Sequence, residues 1–189
     1  MTQNDEPCDP SSPSHTMNVN ETKAIFRKAQ ALNQNLDTYS QTSLNELEKT
    51  RILLTAELYR LAALIYLIKT SIPRAPRPVN ISAISPDLQA VCFYVDEAMN
   101  FLRCLETCTS PWPLFVVACE SWNDKQRIEI LHTLDKMDDR RNIGNILVLR
   151  AIIESFWKQQ DLRADSGQSS SDLQWWDIID LQTASPWFI

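Results

Sequence analysis

Glycine is nearly missing from this chain, two residues in 189 against ten prolines, and that shortage removes several fold classes at once. It leaves little material for primed hairpin turns, phosphate-cradling loops or a dinucleotide fingerprint. Histidine is equally scarce. His15 stands in a polar tail and His132 in a helical segment, with no nucleophile-elbow motif for either to serve. No C-x-x-C pair occurs among Cys8, Cys92, Cys104, Cys108 and Cys119. Cys104 and Cys108 stand four apart, the spacing of a shared helix face, but a metal would need two further ligands. The odd count, the apolar surroundings and the lack of a secretory signal predict reduced, buried thiols. No metal or other cofactor is expected. The longest apolar run, Leu61 to Ile68, falls short of the ~20 residues of a membrane span. Upstream it meets Arg60 and Glu57, so a buried core helix is expected and no membrane span. Basic excess is absent as well: the net charge of -6 opposes the phosphate neutralisation that direct nucleic-acid binding requires.

What is present is helical punctuation. Prolines gather at Pro7 to Pro13, Pro73 to Pro86 and Pro111 with Pro113, between the periodic segments and not inside them. Residues 1–16 read as a disordered tail, and residues 17–189 as one helical domain with loops at about 71–85 and 163–171. Helices are expected from Glu21 to Leu36, from Leu44 to Thr70 behind a Ser43/Glu46 capping box, and from Pro86 to about Glu106. Further ones run from Pro111 to near Trp122, from Asp124 through Ile128, Leu131, Leu134 and Met137, and from Asn145 to Gln159. A last helix would follow Asp172. In the long second helix Leu47, Leu54, Leu58, Leu61 and Ile65 line one face. In the sixth, Ile146, Leu149, Ile152, Ile153, Phe156 and Trp157 point inward. No segment alternates as a strand would. The expected fold is all-α, an irregular orthogonal bundle of about six or seven helices with no sheet.

One block is more specific. Ser110-Pro111-Trp112-Pro113-Leu114-Phe115-Val116-Val117-Ala118-Cys119-Glu120 is followed by Arg140-Arg141-Asn142, by Ile152-Ile153-Glu154-Ser155-Phe156-Trp157-Lys158 and by Trp175-Trp176-Asp177. This order resembles the C-terminal half of the helical regulatory domain in fungal transcription factors of the binuclear zinc cluster class, closely over residues 110–180 and more loosely back to residue 44. In that family six cysteines hold two zinc ions and read DNA, while a long helical domain answers to a ligand or partner. Here Cys8 stands alone, so no direct nucleic-acid binding is expected, and the helical domain is expected to be about half the usual length. The resemblance implies a nuclear regulator, with the cytoplasm as the alternative site. It would control metabolite biosynthesis or a drug or sterol response through an apolar small molecule, a full-length transcription factor or a homodimer. The alternative function is a cofactor-free cyclase or isomerase of secondary metabolism with a helical apolar pocket.

Trp112, Phe115, Trp122, Phe156, Trp157 and Trp176 are the candidate walls of such a pocket, although large rings between short helices serve equally as core filler. Glu120 with Arg127, and Arg150 with Glu154 at i, i+4, are candidate structural ion pairs. The ending from Trp175 to Leu181 alternates acidic and apolar residues. It reads either as a docked amphipathic helix or as an activation segment.

Overall fold

The helix Pro111–Cys119 is apolar all round, and such a helix persists only if neighbours enclose it. The computed structural model shows that enclosure. It describes residues 19–32, 45–71, 86–105, 108, 110–141, 144–166 and 174–175. Six helices occur among them: α1 (Val19–Ala31), α2 (Glu46–Ser71), α3 (Pro86–Cys104), α4 (Pro111–Cys119), α5 (Asp124–Arg141) and α6 (Gly144–Asp165). No strand appears among the described residues, so the fold is all-α. Short α4 touches α2, α3, α5 and α6, while α1 packs on α2 from outside. Residues Pro113 to Cys119 are all buried.

Helix starts follow local chemistry. At α2 the amide of Glu48 donates to Asn45 Oδ1 at 2.7 Å, and the amide of Asn45 donates to Glu48 Oε2 at 3.2 Å. This is the reciprocal capping box, two residues later than expected; Ser43 lies outside the described residues. Ser110 precedes α4 without a side-chain cap bond. Pro113 occupies the third helical position, so one of the two usual amide targets of a cap has no N–H. Asn123 opens α5 by accepting from the amide of Gln126 at 2.9 Å.

The core joins Leu58, Leu61 and Ile65 of α2, Val95 and Met99 of α3, Leu114 to Cys119 of α4, Ile130, Leu134 and Met137 of α5, and the expected inward row of α6. Five expectations need correcting. Leu47 lies on the inward stripe of α2 but is 74% exposed, because the first turns of that helix run past the packed body. On α5, Ile128 is 66% exposed and Ile130 takes the buried position, since α6 and α4 pack against this helix and set its inner arc. Cys92 and Cys104 are exposed, whereas Cys108 and Cys119 are buried. Helix α3 ends at Cys104, so Cys104 and Cys108 share no helix face. Finally, α6 continues to Asp165 into the expected loop, with Arg163 in its last turn where a cation suits the helix dipole. The tail 1–16, the loop 71–85 (apart from Ser71) and most of the final helix lie outside the described residues. No described helix is long and apolar enough to cross a membrane.

Candidate functional site

The C-terminal end of α4 gathers the polar chemistry of the interior. A buried helix end exposes carbonyls that need partners, and here side chains of other elements supply them. Trp157 Nε1 of α6 donates to the Ala118 carbonyl at 2.8 Å, and Gln160 Nε2 reaches the Cys119 carbonyl at 3.4 Å. Ser121 Oγ donates to the Val117 carbonyl at 3.0 Å, and the Glu120 amide to the Val116 carbonyl at 3.3 Å. Gln126 then ties the junction to α3. Its Nε2 donates to Asp96 at 2.8 Å and its Oε1 accepts from the Trp122 amide at 3.1 Å.

At the centre sits Glu120, the residue that ends α4. Its carboxylate meets Lys69 Nζ, from the last turn of α2, at 3.0 Å, and both side chains are almost wholly enclosed. Burial pushes the Glu120 carboxyl above the usual carboxylate range. The charge and hydrogen bond of Lys69 draw it partly back, and the Trp175 side chain is close enough to favour the charged form. Trp175 is 6% exposed. Its ring meets Phe115 edge-on at 5.3 Å between centroids and leans on Tyr66 at 5.8 Å. Lys69, Glu120, Tyr66, Phe115 and Trp175 thus form a socket closed by an indole.

The candidate pocket residues separate. Phe115, Phe156 and Trp157 are core side chains, and Trp112 is partly buried against Tyr59, stacked at 5.9 Å with 16° between the ring planes. Trp122, expected to line a pocket, is 62% exposed, because α4 ends at Cys119 and the chain turns outward before Asn123. Trp176 lies outside the described residues. The expected partnership of Glu120 with Arg127 does not form. Arg127 reaches Asp161 at 2.9 Å and lies over the Trp157 ring at 5.4 Å, leaving Glu120 to Lys69. Arg150 Nε does meet Glu154, at 2.8 Å, and its other arm meets Asp135 of α5. Sequence reading missed Lys69 and Trp175 as site residues. The one signal for Lys69 was a cation in the last turn of a helix, which many helices share. Trp175 was visible only as half of an aromatic pair.

Away from this junction, a half-open cleft of about 100 Å³ between α3 and α5 is lined by Met99, Leu102, Arg103, Glu129, His132, Thr133 and Lys136. Glu129, an acid that could have partnered His132, is instead held by Arg103 at 2.8 Å. The buried Cys108 and Cys119 thiols are pushed up by burial, Cys119 strongly. Cys92 is also raised, by desolvation and then by the charges of Asp96 and Glu120. None of the three is an activated thiolate.

Comparison with known proteins agrees with this anatomy. A curated relative, "Transcription factor iacI" from Pestalotiopsis fici (strain W106-1 / CGMCC3.15140), is 24% identical over 110 residues, which are 58% of this chain and 26% of that protein. The chain therefore covers about a quarter of the length of that relative. No solved structure matches. The family described as "Fungal specific transcription factor domain" matches residues 4–189, from the tail through all six helices and beyond Trp175. With that span covered, the chain belongs to the family of fungal-specific transcription factor domains.

Proposed function

We propose that this chain is the effector-responsive body of a fungal transcriptional regulator, controlling metabolite biosynthesis or a drug or sterol response from within the nucleus. Its input would be an apolar small molecule or a partner regulator, either a full-length transcription factor or a second copy. The observation that carries the reading is the family match over residues 4–189, on a chain whose net charge of -6 disfavours direct contact with nucleic acid. The relative named as a transcription factor supports the same direction. A deeply buried charged junction beside the centre of the core fits a body with two arrangements, because paired buried charges tolerate few intermediate geometries.

The test joins the chain to an unrelated DNA-binding module in a yeast reporter strain. The expected result is altered reporter output, in either direction, that changes further when lipophilic extract of the source culture is added. The purified chain alone should shift no DNA at physiological salt. An inert reporter under every extract, or a sequence-specific shift by the chain itself, overturns the proposal.

A further inference from the structure

Trp175 stands outside the six helices yet fills a position that belongs to the core. Among the described residues, its ring contacts come from α2 and α4. Tyr66 and Lys69 are on α2, one turn apart, Phe115 is on α4, and Glu120 caps the C-terminal end of α4. The socket would stay assembled without the indole, because α2 and α4 pack directly on each other. The recognition it offers is well defined. Phe115 presents an aromatic contact at 5.3 Å and Tyr66 a tilted one at 5.8 Å, the ranges in which ring pairs attract. Glu120 adds an acceptor that is nine-tenths enclosed and already paired with a cation. In the sequence, Ser-Gly-Gln-Ser-Ser-Ser-Asp-Leu at 166–173 separates α6 from this ring, a stretch of mostly small polar residues.

We propose that this socket is an exchangeable binding site: Trp175 occupies it as an internal plug, and a flat aromatic molecule bearing an N–H or O–H donor replaces that side chain. The ring of the ligand takes the edge-on seat on Phe115 and its donor faces Glu120. Displacement releases the Trp175 side chain from the core. The proposal rests on the reading of this chain as an effector-responsive regulator, and it names the site and the ligand chemistry. A ring tethered by a short polar linker competes at an effective concentration on the order of millimolar. A free ligand of equal intrinsic affinity must reach that range, and a better-fitting one works below it.

The experiment uses the whole chain with 5-fluorotryptophan in place of tryptophan, the resonance absent from Trp175→Phe marking position 175. Indole is the probe. Its addition should move that one fluorine resonance toward the solvent-exposed value, saturably. Trp175→Ala, which leaves the socket empty, should bind indole at least ten-fold more tightly than the parent and regain thermal stability with it. Should that variant lose its helical signal, Trp175→Leu, which keeps apolar fill, replaces it. 1-Methylindole, the same ring without the donor, should bind at least ten-fold more weakly, because it cannot hydrogen-bond the charged acceptor. A fluorine resonance unmoved at saturating indole, or equal binding of the two probes, overturns the proposal. If the reporter still answers to lipophilic extract in that case, the regulatory reading stands and only the socket falls. A socket that binds indole in a chain inert in the reporter fails the regulatory reading instead.

Discussion

Lys69–Glu120 and the Arg150 cluster are both ion pairs between carboxylates and cations, and they belong to different physical regimes. Arg150 bridges Asp135 and Glu154 on the outer side of α5 and α6, where each partner is a third or more exposed. Water screens such a pair, and its net worth is typically under 1 kcal/mol. Lys69 and Glu120 meet in the interior, where removing water costs both charges and each depends on the other. The outer cluster trims a surface. The inner pair joins the last turn of α2 to the C-terminal end of α4. Closeness of charge in space says little about consequence until burial is known.

The comparison breaks most readily at its inner member. Lys69→Ala should destabilise the chain by about 3–5 kcal/mol, because it strands a buried carboxylate. Urea unfolding measures this, and a loss below about 1 kcal/mol would place the inner pair with the outer ones. Trp157→Phe probes the same junction without touching charge. It removes the 2.8 Å donor of the Ala118 carbonyl, which keeps the Ser121 amide at 3.2 Å, so a cost of about 0.5–1.5 kcal/mol is expected in the same assay. Arg150→Ala should cost under about 1 kcal/mol, and the cost should shrink in high salt. A larger, salt-insensitive loss would show that the outer cluster is structural.

The smallest effect is one of pH. The folded chain holds a proton on Glu120 more firmly than the unfolded chain does, because burial outweighs the pull of Lys69. A carboxyl raised in this way adds stability as pH falls, over the window between its ordinary value and its higher folded value, and loses it as pH rises through the folded value. Glu120→Gln, uncharged at every pH, lacks that gain. The stability difference between parent and variant should therefore shift toward the parent as pH falls from neutrality toward the ordinary carboxylate range. A shift in the opposite direction would mean that Lys69 governs the carboxyl and desolvation does not.

Legibility followed the same division. The outer Arg150–Glu154 contact was readable because i, i+4 spacing brings side chains together on any helix. The inner pair joins residues 69 and 120, and no local rule links those positions. Arg127 was the plausible partner by proximity in sequence. The fold instead turned it onto Trp157 and Asp161. Trp122 and Ile128 were misplaced for a related reason. Both stand near the junction of α4 and α5, where one short helix ends and the flanking helices decide which side of the next is inward.

The sequence by itself determined that the chain is helical. Scarce glycine, prolines at boundaries and helical apolar spacing are local properties, which the backbone obeys wherever the segment ends up. It also determined that α4 must be central, since a segment apolar on every face has nowhere else to go. The tertiary structure alone decided that Glu120 finds Lys69 and that Trp175 comes back to close the socket over Phe115. Those meetings depend on how whole helices cross. Crossing is set by the summed packing of many side chains, and no window of sequence contains that sum.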